Sequence, residues 1–425
     1  MRICFAYAVA ALAVAARGAS DNPGPTYNRD IAPILYNNCA NCHRPGEVAP
    51  FPLLTYRDTA KRAALIATVT KTRAMPPWKA EPGHGEFKDA RRLTDEQLAL
   101  LQQWAKNGAP EGDPALKPVP PKFLDGWQAG QPDKSFTLPA KFTVAADGPD
   151  QFKCFVISLD LPDSVYVGAI EFRPDNRRVV HHALVFTDPN QQGRKLAAGS
   201  ADGSYTCFGS PGFAGGILGG WAPGQVPMKT EPGYASPLRK GTDLVLQIHY
   251  HPDGKPEEDR SSLGLTFAPP PTKGRTLLLL GTAKIDIPAG DSHYVVKASQ
   301  VLPMDASILG ITPHAHYVCK DMKVDAYLPD GSVKPLIWIK DWDFNWQGGY
   351  RYAEPVSLPK GTRVEMVYTY DNSAANPRNP AKPPVRVVHG EQTTNEMALA
   401  FLRVALPTPA DAAAFQRAII ASERE

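Results

Sequence analysis

A chain of 425 residues exceeds one compact domain and implies two or three, each long enough to bury its own core. Its net charge of +3, with no block of lysine or arginine, excludes a nucleic-acid-binding surface and an anionic-membrane surface. With 43% apolar and 21% charged residues the composition is globular, and 43 prolines with 34 glycines favour many short strands over long helices.

At the N-terminus Arg2, an apolar run over 3–16 and small residues around Gly18 have the order of a secretory signal, residues 1–20, with a retained anchor as the alternative. No later segment is apolar enough to span a membrane, so the mature chain is expected to be exported without a membrane span. Removing the signal removes Cys4. Setting aside Cys39 and Cys42, the remainder is Cys154, Cys207 and Cys319, which allows one disulfide and a free thiol, or none.

Residues 21–113 form the first expected unit. Ile31, Ile34 and Leu35 have helical spacing and lead into Cys39-Ala-Asn-Cys42-His43. C-x-x-C-H is a haem-attachment pattern: two thiols one helical turn apart form thioethers, and the adjacent histidine ligates the iron. A thioredoxin-like pair is the competing reading, but no βαβ pattern surrounds it. Met75, in the proline-bounded Met75-Pro-Pro-Trp78, is the expected second axial ligand and His84 the alternative. Thr94 and Gln97 predict a capping box opening a helix whose Leu98, Leu101 and Trp104 form an apolar stripe. Residues 114–127 are proline-rich and read as a linker.

Beyond it the pattern changes to short β-branched and aromatic runs. Strands are expected over 153–159, 165–172, 179–186 and 243–251. The stretch Leu238-Arg-Lys-Gly-Thr-Asp-Leu-Val-Leu246 repeats as Leu358-Pro-Lys-Gly-Thr-Arg-Val-Glu-Met366. Both are a turn feeding a strand, which suggests related β units over 128–283 and 284–410, with a tail over 411–425.

Histidines cluster in these units. His181 and His182 are adjacent, so on a regular strand they point to opposite faces, and they share one ion only if the strand bulges or the rings use different nitrogens. His249 and His251 sit on one later strand, and His314 and His316 should share a strand face. Met397 adds a thioether, a ligand type that shifts metal choice toward Cu(I).

Residues 25–113, chiefly through C-x-x-C-H, resemble a class I cytochrome c domain. Over about 128–405, His181-His182, Gln247-Ile-His249-Tyr, His314-Ala-His316, Glu396-Met397 and Trp221-Ala-Pro-Gly224 together resemble the core of the copper type II, ascorbate-dependent monooxygenases, which include dopamine β-monooxygenase and peptidylglycine α-hydroxylating monooxygenase. The resemblance implies a small all-α cytochrome c domain followed by two tandem all-β jelly-roll or β-sandwich domains. It implies an electron-transfer copper on His181, His182 and His249, and a second copper on His314, His316 and Met397 where oxygen binds and substrate is hydroxylated, the two facing across a solvent cleft. His251 is then a supporting or surface residue, and Cys154 and Cys207 stand where family members also have cysteines. Thr312 occupies the position of the arginine that holds the carboxylate of peptide substrates, which argues against glycine-extended peptides.

The expected cofactors are therefore two copper ions and one covalently bound haem c, and the expected partners are a small-molecule substrate, O2, and an ascorbate-like or protein reductant. The alternatives are a haem and copper electron-transfer or copper-binding protein without turnover, and a carbohydrate- or surface-binding β protein with incidental histidines.

Overall fold

The structure, a computed structural model, describes residues 24–422 except 125, 224 and 226. The expected signal over 1–20 and Cys4 lie outside the described residues, as does Gly224 of the Trp221 motif.

The chain is mostly β. Its first large antiparallel sheet has the order Ser204–Thr206, Gln151–Ile157, Asp243–Tyr250, Val180–Asp188, Gly216–Trp221. A second sheet, built on Lys134–Thr137, Ser262–Ala268 and Val165–Arg173, covers one face of it. Between them Phe155, Val185 and Leu246 meet Val167, Leu263 and Leu265 in one core. Every residue of Asp243–Tyr250 is buried because this strand is central and covered on both sides. Leu244, Leu246, Ile248 and Tyr250 point into the core, and the alternation of a strand sends Val245, Gln247 and His249 to the opposite face. There a Cys154–Cys207 disulfide closes a 53-residue separation beside Val245 and Phe186, and the Gln247 amide donates to Cys207 Sγ at 3.3 Å. The third remaining cysteine, Cys319, is a buried free thiol.

Farther along, the sheet Gly274–Gly281, Leu399–Leu406, Ala306–His314, Tyr350–Leu358 faces the sheet Tyr294–Val301, Arg363–Tyr370, Cys319–Tyr327, Val333–Ile339. Ile308, Ile311, Leu402 and Val404 pack there with Met322, Val324, Met366 and Tyr368. The helix Pro409–Ser422 adds Phe415 and Ile419 to this core. The sequence repeat recurs as one turn geometry: Gly241 and Gly361 have φ of +80° and +84°, and Thr242 and Thr362 each donate backbone N–H to the carbonyl three residues back at 3.1 Å. Only glycine adopts that φ without strain, so each copy turns sharply into a buried central strand.

The expected division into an all-α cytochrome domain followed by two jelly-roll or β-sandwich domains is not the architecture adopted. Among the described residues the strands are spread over six sheets, two of them two-stranded ribbons. The described helices before them are short, and most of the chain between Cys39 and Thr94 is outside any helix. The first helix begins as a π-turn, Tyr27–Ile31, before Ala32–Asn38. Thr94 does form the capping box with Gln97, and Leu101 and Trp104 are buried against Tyr27, Ile31 and Leu35. The segment after Met75, however, belongs to the β architecture. Pro76 and Pro77 cannot continue a helix, and Ala80 is instead buried in the second β core with Trp78 and Phe87, half-buried, packed against it. Trp78 and Phe87 lie 5.1 and 5.2 Å from the ring of Tyr350, and the backbones of Glu86 and Lys88 bond to Ala353 and Arg351. The N-terminal region is thus strapped to the sheet edge, while Tyr27, Ile31, Leu35, Leu101 and Trp104 form a small core of their own.

Candidate metal centres

Three histidines converge in the first β region. His182 is paired directly with His249 across the sheet, but the next residue, Tyr250, pairs with Val180, so His181 is an extra residue in a β-bulge. Val180 and Ala183, three apart, consequently both enter the core, and His181 and His182 both turn away from it. The bulge that adjacent ligands require is therefore present.

The Nδ1 atom of His182 lies 3.2 Å from Nδ1 of His181 and 3.2 Å from Nδ1 of His249. One ligand atom from each of the three lies within 4.8 Å of the others. A separation of 3.2 Å subtends about 106° at an ion about 2.0 Å from each nitrogen, close to a tetrahedral angle. Asp150 fixes the nitrogen choice: its Oδ2 accepts from His249 Nε2 at 2.7 Å, so the ring proton sits on Nε2 and Nδ1 keeps its lone pair. The other oxygen, Oδ1, accepts from His251 Nδ1 at 2.7 Å, so His251 supports the site through Asp150. Burial alone would raise the Asp150 carboxyl, but hydrogen bonds from His249 and His251 outweigh it and hold it below its usual range. Phe152 stacks on His249 at 4.1 Å and restrains the ring further.

The second group uses the other nitrogen. His314 ends the strand Ala306–His314 and His316 lies just beyond it, their rings 5.3 Å apart at 85°. His314 Nδ1 donates to Gln347 Oε1 at 2.6 Å, and His316 Nδ1 donates to the Asn395 carbonyl at 3.1 Å. Both Nε2 atoms are left as lone-pair donors. Glu396, wholly buried, joins this loop to the Met397 segment: Oε2 accepts from the backbone N–H of His316 and Met397 at 2.8 and 3.1 Å, and Oε1 from that of Val318 at 2.8 Å. Burial pushes its carboxyl up to about 8 despite these donors. The Met397 carbonyl is held by Tyr370 Oη at 2.7 Å, and its side chain is half-buried. The Met397 backbone is thereby held to the loop of the two imidazoles, and a thioether added to them would make a donor set suited to copper in its lower oxidation state.

Burial, reinforced by neighbouring histidines, holds His181 and His316 at about 4, and His182 lies well below its ordinary value for the same reasons. The rings are neutral at pH 7 and able to bind a cation. The metal-free protein should then lose stability as pH falls from about 6.5, where the unfolded histidines take up protons, to about 4, where the folded ones do. A melting temperature that stays level from pH 7 to pH 4 would contradict this assignment.

In the third group, His43 N–H bonds to the Cys39 carbonyl at 2.9 Å, a single helical turn, and Cys39 and Cys42 are free thiols. Burial, with Cys42 adding to it, pushes the Cys39 thiol up to about 12. His43 Nδ1 donates to the Phe51 carbonyl at 3.0 Å, leaving Nε2 for an iron. These residues fit haem attachment in donor chemistry. Met75 lines a cavity of about 220 Å³ with Leu93 and Leu98, and neither cysteine nor His43 lines it. His84, the alternative ligand, packs edge-on to Trp338 at 4.8 Å. Two ion pairs tie this region to the histidine groups: Glu47 to Arg177 at 2.9 Å, just before His181, and Lys79 to Asp341 at 2.8 Å.

Phe344 packs against a histidine of each group. Its ring centroid is 5.8 Å from that of His181 and 5.8 Å from that of His316. Asp150, Gln347 and Phe344 were not found from the sequence. Asp150 precedes His181 by about thirty residues and Phe344 follows His316 by nearly as many, and no local spacing links either to a histidine.

No known protein family matches the chain, and no curated protein does. Among solved structures, PNGF-II is 11% identical, with 66% of this chain and 62% of that one covered, at a TM-score of 0.21. The infectious bursal disease virus VP2 subviral particle is 9% identical over 71% of this chain and 76% of that one, at 0.20. The PBCV-1 virus capsid is 10% identical over 64% and 92%, also at 0.20. At such scores none of these likenesses bears on fold or function.

Proposed function

We propose that this chain is an exported copper-dependent monooxygenase that inserts one oxygen atom into a C–H bond of a small molecule, with electrons supplied or relayed by a haem c on Cys39, Cys42 and His43. The observation that carries this reading is the pairing of two unlike donor sets. An Nδ1 trio of His181, His182 and His249 is matched by an Nε2 pair, His314 and His316, on a loop that Glu396 ties to the Met397 backbone. Copper at the two sets would store one electron each, and insertion of one atom of O2 into a C–H bond consumes two. The division of labour between the sets, electron storage at the first and oxygen activation at the second, is taken from the resemblance to the ascorbate-dependent copper monooxygenases.

The chain's own groups have definable tasks in this scheme. Asp150 keeps the His249 proton on Nε2, and Gln347 and Asn395 keep those of His314 and His316 on Nδ1. Glu396 holds the Met397 segment to the histidine loop. The Cys154–Cys207 disulfide supports an oxidising compartment, and among the described residues no helix is long and apolar enough to cross a membrane.

Reduced, copper-loaded protein should consume oxygen only when a substrate is added, screened as an unbiased metabolite set. Met397→Ala should abolish that consumption while leaving haem reduction intact. Undiminished turnover in the variant would remove Met397 from the oxygen site. The second reading, an electron-transfer protein without turnover, is favoured by the enclosure of the second set, where His316 is only 4% exposed. Oxygen uptake that no metabolite stimulates would select it.

A further inference from the structure

The segment from Asp341 to Gly349 touches both histidine sets and the N-terminal strap. Asp341 bonds to Lys79 of the N-terminal strap at 2.8 Å and to Arg378 at 2.6 Å. Trp342 Nε1 donates to the His316 carbonyl at 3.0 Å, and Gln347 accepts from His314. Phe344, in the short turn Phe344–Trp346, is 5% exposed. Its ring lies nearly parallel to His181, at 17°, and edge-on to His316, at 89°. The two imidazole centroids are therefore no farther apart than twice 5.8 Å, and one hydrocarbon ring touches both, with Tyr317 packed on it at 4.5 Å. A buried aromatic ring in close packing admits little relative movement of what it touches. Trp342 and Gln347 bond to the second set alone, whereas Phe344 packs on a histidine of each set.

We propose that Phe344 is the positioning residue that couples the two histidine sets, fixing the separation of His181 from His316 and keeping water out of the path for one electron between the ions they hold. The inference deepens the two-copper reading and rests on it. With copper bound, the step would move one electron and no atom. An ion held by His181, His182 and His249 would be oxidised by one unit and one held beside His316 reduced by one. An external one-electron donor of haem or ascorbate type would then re-reduce the first. Phe344 binds no metal and itself undergoes no redox change.

Two variants separate packing from placement. Leu at position 344 keeps most of the volume but no ring, and Ala leaves a cavity. In the metal-free protein with labelled histidines, Phe344→Leu should shift the ring resonances of both His181 and His316 by removing the aromatic ring current. A shift at one or at neither would overturn the placement. Protein loaded with copper alone should bind two ions, and its Cu(II) resonance should be broadened by their mutual proximity. After reduction by one equivalent, redistribution of the electron between the two ions should slow at least tenfold in Phe344→Ala, with weaker broadening, and return to within threefold of wild type in Phe344→Leu. Two bound ions and wild-type redistribution in Phe344→Ala would overturn this inference alone. Fewer than two ions bound by wild type would remove the two-copper reading, and this inference with it.

Discussion

Replacing His182 with alanine should lower the copper held per chain from two ions to one. Its Nδ1 is the atom common to both 3.2 Å separations, so no pair of the remaining nitrogens reproduces the geometry of the trio. Loss of a mere supporting partner typically costs about 10–100-fold in metal affinity, and loss of a ligand should exceed that. The fold should survive, because His182 points away from the core that Ala183 and Val185 fill. The second set should keep its ion, since its rings are held by Gln347 and Asn395 and not by His182. Metal analysis after gel filtration, with a melting curve on the same sample, decides the matter. Retention of two ions would dismiss the trio as a binding site, and loss of both would show that the sets are not independent.

Replacing Glu396 with alanine should cost stability and the second ion together. The Glu396 carboxyl is wholly buried, and its oxygens accept from three backbone N–H groups, those of His316, Val318 and Met397. Each donor left without a partner in the interior costs about 1–3 kcal/mol, so the total is roughly 3 kcal/mol or more. The same change unties the histidine loop from the Met397 segment, and copper at the second set should weaken even where the protein stays folded. Glutamine should be milder, because it keeps a carbonyl acceptor and because burial has already pushed the native carboxyl up to about 8, largely protonated at pH 7. Denaturant unfolding of both variants, paired with copper titration, tests the order. Equal stability of the alanine variant and wild type would deny Glu396 its role as a clamp.

The Gly241 and Gly361 turns were legible because glycine's tolerance of positive φ is local, and the sequence repeats the local pattern. The capping box at Thr94 was legible for the same reason: its two hydrogen bonds lie within four residues. The autonomous helical unit was misread. C-x-x-C-H reports on one helical turn and says nothing about whether the surrounding helices bury enough surface to stand alone. Here Trp78, Ala80 and Phe87 find their burial on a sheet edge more than 250 residues away, a partner that no sequence window contains.

The sequence by itself determined which donor atoms exist: the adjacent histidines, the His-x-His pair, the late thioether, the thiol pair with its histidine, and the condition that adjacent strand histidines share a face only across a bulge. Tertiary structure alone decided that His181 is the bulged residue, that the trio uses Nδ1 while the pair offers Nε2, and that Phe344 packs against a histidine of each. Ligand type is a property of a side chain, carried wherever the chain goes. Nitrogen choice and separation depend on Asp150, Gln347 and Phe344, hydrogen-bond and packing partners that only folding brings to the histidines.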